Sequence, residues 1–282
     1  MRLSSNRLLT LGLPMAYLGV FFAIPLAIVL IYSVLTPGDY GGIVWAWSWE
    51  GYAGLLSADL AVILLRSLRV AGLATLICMV IGFPAAWFIS QLPLRAQTVW
   101  MFLLSIPAWM NLLVKNYAWI VLLRREGLVN QVLGVLGVET PPEWLYHEGA
   151  VLLGLVHTYL PFMILPLYSA LERLDLRLLE AARDLGANGF QVWLRVVLPQ
   201  CAAGLWAGFL LVCIPAFGAF LTPDLLGGAN STMIGTLIQQ QFLMGRNWPL
   251  GSAMSVSVML LVWLALVVFR KAAGKSGEPS LI

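Results

Sequence analysis

Long apolar runs alternate with polar connections along this chain. Crossing a hydrocarbon layer of ~30 Å takes about 20 mostly apolar residues of helix. Six runs meet that length, at 13–35, 67–90, 98–122, 149–170, 201–222 and 250–269. Backbone groups inside lipid find partners only within a helix or a closed barrel. The pattern therefore predicts an all-α, polytopic membrane protein with six transmembrane helices. The third run is interrupted by Asn111, Lys115 and Asn116, so its outer end is the least sharply marked. The first run follows Met1, Arg2 and Arg7 in the manner of a secretory leader. It reads instead as the first membrane helix, because its apolar part is too long and no small-x-small site precedes Thr36.

One polar connection has helical periodicity of its own. Leu171, Leu174, Leu178, Ala181 and Leu185 recur at steps of three, four, three and four, which is one face of a helix. Gly186 then breaks the pattern where a left-handed residue suits a helix end. Phe190, Trp193, Leu194 and Val197 build a second apolar face, and Pro199 sits where the fifth run begins, a first-turn position. The expectation over 171–199 is two short amphipathic helices joined at a glycine elbow. A shorter pattern, Leu128, Val132 and Leu136 within 125–137, reads as an interfacial helix.

Composition and charge orient these elements. Only 10% of the 282 residues are charged, against about 25% in soluble domains. Mean hydropathy is +0.90. With both termini on one side, that side carries ten basic and five acidic residues, a net +5. The other carries six basic and eight acidic residues, a net −2. Basic residues favour the cytoplasmic side, so both termini and the 171–199 segment are expected there, and the basicity is a topology signal with no bearing on nucleic acid. Residues 1–282 read as a single transmembrane domain with long outer connections at 36–66, 123–148 and 223–249, and no soluble domain at either end. Prolines in or near most spans (Pro14, Pro25, Pro84, Pro107, Pro161, Pro166, Pro215) read as bends that neighbouring helices tolerate. Gly204 and Gly208 form a G-x-x-x-G packing face. Cys78, Cys201 and Cys213 have no paired or metal-like spacing and read as packing residues.

The polar connection also carries a family spacing. Glu180-Ala181-Ala182, three residues, Gly186, nine residues, Val196, one residue, Leu198-Pro199 resembles the E-A-A-x3-G-x9-I-x-L-P signature of permeases of bacterial ATP-driven importers, with valine for isoleucine the one departure. "NYAWIVLLRREGLVN" (116–130), "YLPFMILPLYSALERLD" (159–175), "LTPDLLGG" (221–228) and "FLMGRNWPLGSAMS" (242–255) are similar to the spermidine/putrescine group of these permeases. The resemblance implies a type I importer permease fold in a bacterial inner membrane. It further implies that Glu180, Ala181, Ala182, Asp184, Gly186, Leu198 and Pro199 belong to a coupling region docking into a separate ATPase. Implied partners are a dimer of that ATP-binding subunit, a second permease (a paralogue or a second copy), a periplasmic polyamine-binding protein and membrane lipid. ATP and Mg would be bound by the ATPase, leaving this chain without a cofactor. Related permeases for phosphonates, thiamine or iron chelates stand as alternatives for the cargo.

No catalytic or metal-binding constellation accompanies these features. "GKS" at 274–276 lacks the phosphate-loop glycine, whose place is taken by Phe269. His157 stands without cysteine or carboxylate neighbours and reads as a hydrogen-bonded packing residue. No Asp or Glu falls in the middle of a run, which argues against an ion-coupled secondary transporter, the rival of a different class. The same absence assigns cargo selection chiefly to the binding protein, leaving weak polar and aromatic contacts along the path. Candidates for that path are Asn111, Tyr117, Trp119, Tyr159 and Asp224, each also suited to interfacial anchoring or packing. Arg66 and Arg69 read as snorkelling to the headgroups, and the outer acids Glu50, Glu139, Glu143, Glu148 and Asp224 as solvated or partner-facing.

Overall fold

The structure is a computed structural model that describes residues 5–138, 142–228 and 231–275. Arg2 and Glu139 lie outside them. The chain opens with α1 (Ser5–Tyr32), strands β1 (Leu35–Pro37) and β2 (Ile43–Trp47), α2 (Glu50–Ala53), α3 (Ala58–Ser90) and α4 (Leu94–Trp109). Next come α5 (Leu112–Leu123), α6 (Leu128–Val135), α7 (Glu148–Glu172), α8 (Leu176–Asp184), α9 (Gly189–Val192), a π-helical turn (Trp193–Val197) and α10 (Leu198–Gln200). The chain continues through α11 (Ala202–Phe217), α12 (Leu221–Leu226), α13 (Ile234–Leu243) and α14 (Trp248–Lys275). Two compact units result, residues 62–236 and residues 1–61 with 237–282.

Among the described residues four helices are long and apolar enough to cross a membrane alone, over Pro14–Tyr32, Ala58–Ser90, Glu148–Glu172 and Trp248–Val267. The third apolar run is instead divided between the two helices of a bent pair, and a second bend lies where the fifth run begins. Leu94–Trp109 and Leu112–Val135 meet at 90°, and Gly189–Gln200 meets Ala202–Phe217 at 69°. The expected continuous helix over 98–122 is therefore corrected. Pro107 lacks an N–H for the ladder, Met110 is extended, and Asn111 begins a new helix by accepting the Leu113 N–H at 2.8 Å. The polar interruption that blurred this boundary is a helix cap.

In the 62–236 unit α7 is the central element. Leu155, Met163, Ile164 and Leu167 are fully buried along it. Gly204 and Gly208 let α11 lie directly on it. A Cβ at Gly204 would come within 2.6 Å of Ala170 Cβ and 2.7 Å of the Pro166 carbonyl, and one at Gly208 within 2.6 Å of Met163 Sδ. The G-x-x-x-G face thus packs inside the chain. Ser67 fastens the start of α13 to α3, accepting the Ile234 N–H at 2.8 Å while donating to Ile63 O. Cys78, Cys201 and Cys213 are free.

In the other unit the connection after α1 forms an antiparallel hairpin, with Leu35 opposite Trp47 and Pro37 opposite Ile43. Gly41 and Gly42 turn its tip with φ of +93° and +81°. The Gly42 N–H donates to Arg246 O at 2.8 Å, which holds the tip to the connection before α14. A hairpin this short leaves little periodicity to read in a sequence.

Candidate functional site: the 171–200 segment

The segment between α7 and α11 is built from successive caps. Helix α7 ends at Glu172, and Asp175 starts α8 by accepting the Arg177 N–H at 3.0 Å. The first expected helix therefore begins at 176, and Leu171 belongs to α7. At the far end Gly186 has φ +84°, its N–H donates to Arg183 O at 2.8 Å, and the Ala187 N–H donates to Ala182 O at 3.1 Å. These two bonds form a Schellman motif around a left-handed residue. Asn188 and Gln191 then exchange side-chain-to-backbone bonds of 2.8 and 3.0 Å in a capping box that opens α9. Two short helices hinged at Gly186 are what the periodicity implied.

Past α9 the backbone widens. Pro199 has no N–H to offer Arg195, and the preceding turn takes the i→i−5 pattern, Leu198 N–H bonding Trp193 O. The expected proline at the first turn of the spanning helix is corrected, because Pro199 lies in the short α10, three residues before α11 starts at Ala202.

Burial separates the apolar residues into two groups that the expected faces mixed. Leu171, Leu179, Val192 and Val197 are buried with Phe83 and Ile89 of α3 and Leu167 of α7. Leu174, Ala182 and Trp193 flank them, and the Trp193 ring meets Phe83 edge-on at 5.1 Å. Leu178, Ala181, Leu185, Phe190 and Leu194 are exposed, Leu185 at 89% and Phe190 at 70%. Glu180, Arg183, Asp184, Gly186 and Pro199 share that exposure, while Leu198 is half-buried. One side of the segment is anchored in the bundle, and the other presents aliphatic and aromatic side chains among charges.

The path candidates are more dispersed. Trp119 reaches α7, donating its indole N–H to His157 Nδ1 at 3.3 Å, which bears out the packing reading of that histidine. Asn111 is the exposed cap of α5, Tyr117 is exposed on the same helix, and Asp224 is exposed in the first turn of α12. Tyr159 is half-buried against Val70, Ala74 and Leu155. Lys115 and Asn116, read only as interruptions, are both buried on α5. Among the described residues no group of three His, Cys, Asp or Glu is placed to hold a metal.

Arg69 departs from its expected snorkelling role. It forms an ion pair with Glu148 at the first turn of α7, 79 positions away. The pair is exposed, and such pairs contribute about 0–1 kcal/mol. Arg69→Ala should therefore leave the amount of folded chain in the membrane within about twofold of the parent by quantitative blotting. A larger loss would show that the pair holds α3 to α7.

No family model matches the chain. Over 258 residues, 91% of this chain and 94% of the relative, it is 40% identical to the spermidine/putrescine transport system permease protein PotB of Escherichia coli (strain K12). The chain belongs to the PotB family of transport permeases. Its fold agrees with that membership. With a TM-score of 0.77 and 16% identity, 97% of the chain overlays 96% of a chain from a bacterial ABC transporter involved in import of the acidic polysaccharide alginate. A bacterial alginate ABC transporter in complex with its alginate pentasaccharide-bound periplasmic protein gives 0.75 at 14% identity, over 96% of this chain and 95% of the other. A PotB-family chain with this fold is a transport component, multi-pass in the membrane.

Proposed function

We propose that this chain is the permease subunit of an ATP-driven importer for spermidine or putrescine, and that residues 171–199 couple it to a separate ATPase. The observation that carries the cargo is the 40% identity to a spermidine/putrescine permease across 91% of the chain. What supports the coupling is the two-sided segment, rooted in α3 and α7 on one side and exposed on the other.

Leu178, Leu185, Phe190 and Leu194 would enter a groove of the ATPase, with Glu180 and Asp184 at its rim and Gly186 setting the angle between the two helices. ATP and Mg belong to the ATPase dimer. This chain's residues carry motion and line half of a path completed by a second permease. The net charges of +5 and −2 support both termini on the cytoplasmic side of the inner membrane, with a periplasmic binding protein on the opposite face. On the long apolar helices α3 and α7 the acids stand at helix ends, Asp59, Glu148 and Glu172. Selection is then left mainly to the binding protein. Asn111, Tyr117, Trp119, Tyr159 and Asp224 supply contacts loose enough for release.

Uptake of labelled spermidine by cells expressing the full importer tests the cargo. Unlabelled putrescine or spermidine at a hundredfold excess should suppress it, while a phosphonate, thiamine or a ferric chelate should not. Suppression by one of the latter group would move the cargo to that class and leave the permease role in place.

A further inference from the structure

The exposed segment can transmit force only if its seat moves as one body. That seat has two walls. Phe83 and Ile89 on α3 form one, and Leu167 and Leu171 on α7 form the other, with Leu179, Val192 and Val197 of the segment buried against both. A shift of one wall past the other would let the segment move without carrying the spans.

A single amide joins the walls at the ends nearest the segment. Helix α3 stops at Ser90, leaving terminal carbonyls without helical partners. Gln97, near the start of α4, donates its Nε2 to Ser90 O at 3.2 Å and to Leu92 O at 2.7 Å. Its Oε1 accepts the Tyr168 hydroxyl at 2.8 Å. Tyr168 lies on α7 about one turn before that helix ends at Glu172. Both side chains are half-buried and the bonds join neutral groups. One glutamine thus ties three helices together beside the root of the segment. Nothing in the family spacing at 180–199 marks either residue.

We infer that Gln97 and Tyr168 are positioning residues for coupling, locking α3 to α7 so that displacement of 171–199 is passed to the spans. The inference rests on the coupling reading of that segment.

Tyr168→Phe removes the hydroxyl and keeps the ring. Gln97→Met keeps the volume and removes the amide. Each variant and the double variant would be purified as the whole importer, reconstituted, and assayed for ATPase retention, ATP hydrolysis and spermidine delivered per ATP. The ATPase should co-purify and hydrolyse ATP at the parental rate. Delivery per ATP should fall about three- to tenfold in each single variant, the range expected for loss of a partly buried hydrogen bond. The double variant should be no worse than the more impaired single one, since both break the same link. An unchanged delivery ratio, or losses that multiply in the double variant, would overturn the inference, and a merely stabilising role predicts hydrolysis and delivery falling together. Glu180→Lys separates the two readings. Normal uptake with Glu180→Lys removes the coupling role and this inference with it, whereas an inactive Glu180→Lys beside an unchanged Tyr168→Phe ratio removes this inference alone.

Discussion

Gly186→Val is expected to reduce uptake at least about tenfold, the factor that ~1.4 kcal/mol represents, while the chain still inserts in the membrane. Gly186 has φ +84°, and nothing lies within 4 Å of where its Cβ would be. The substitution therefore meets no steric wall, and its penalty is conformational. A residue with a Cβ in this region costs roughly 1–2 kcal/mol, with a β-branched side chain worse than most. The backbone can relieve that strain only by breaking the bonds to Arg183 O and Ala182 O, which re-aims α9 relative to α8. Gly186→Asn is the control, since asparagine tolerates left-handed backbone and should keep most of the uptake. Glu180→Lys reverses an exposed charge without touching the backbone and should also abolish uptake and weaken ATPase retention. The three variants are compared by labelled uptake, ATPase co-purification and resistance of the chain to alkaline extraction. Normal uptake with Gly186→Val or Glu180→Lys would remove the segment from the coupling role.

The largest structural effect is expected at Gly204. Its missing Cβ faces the Pro166 carbonyl at 2.7 Å and Ala170 Cβ at 2.6 Å, one a backbone atom and the other at a main-chain branch point. Neither can turn aside, so Gly204→Leu must push α11 off α7 and expose fully buried residues such as Val212. Overpacking of this kind typically costs 1–3 kcal/mol or more. Gly208→Ala should be milder, because its closest neighbour is the flexible Met163 thioether, with the Met163 carbonyl at 3.3 Å. The expected order in a thermal-stability assay on detergent-solubilised protein is parent, then Gly208→Ala, then Gly204→Leu, with the last also poorly recovered from membranes. A Gly204→Leu chain as stable as the parent would contradict the close α7–α11 packing.

What was legible in the residues follows from how local the signal is. Helix ends are short-range chemistry, and Gly186, the Asn188–Gln191 pair and the apolar steps between 174 and 185 all lie within one or two turns of the structures they specify. Periodicity alone does not say which side of a helix meets its own bundle. Leu178 and Leu179 are neighbours, yet only Leu179 is buried, because α3 and α7 lie on that side. The break at 110–111 is visible as an interruption, but its meaning depends on Asn111 acting as a cap four residues after Pro107. Contacts such as Arg69 with Glu148 and Gln97 with Tyr168 span 79 and 71 positions, and no local pattern announces them.

A path shared between two permeases is lined by side chains that one chain leaves exposed, and Asn111, Tyr117 and Asp224 have that exposure. Aromatic side chains at a membrane boundary share it too.

In the proposed function this chain moves a polyamine with energy taken from a separate ATPase. The direct measurement is spermidine uptake into proteoliposomes holding the purified importer, with the binding protein outside and ATP inside, and a membrane potential imposed in every sample. Uptake should proceed with the active ATPase and stop when that subunit binds ATP but cannot hydrolyse it, whatever the potential. Uptake that continues on the potential alone would contradict ATP coupling and make the chain a secondary transporter.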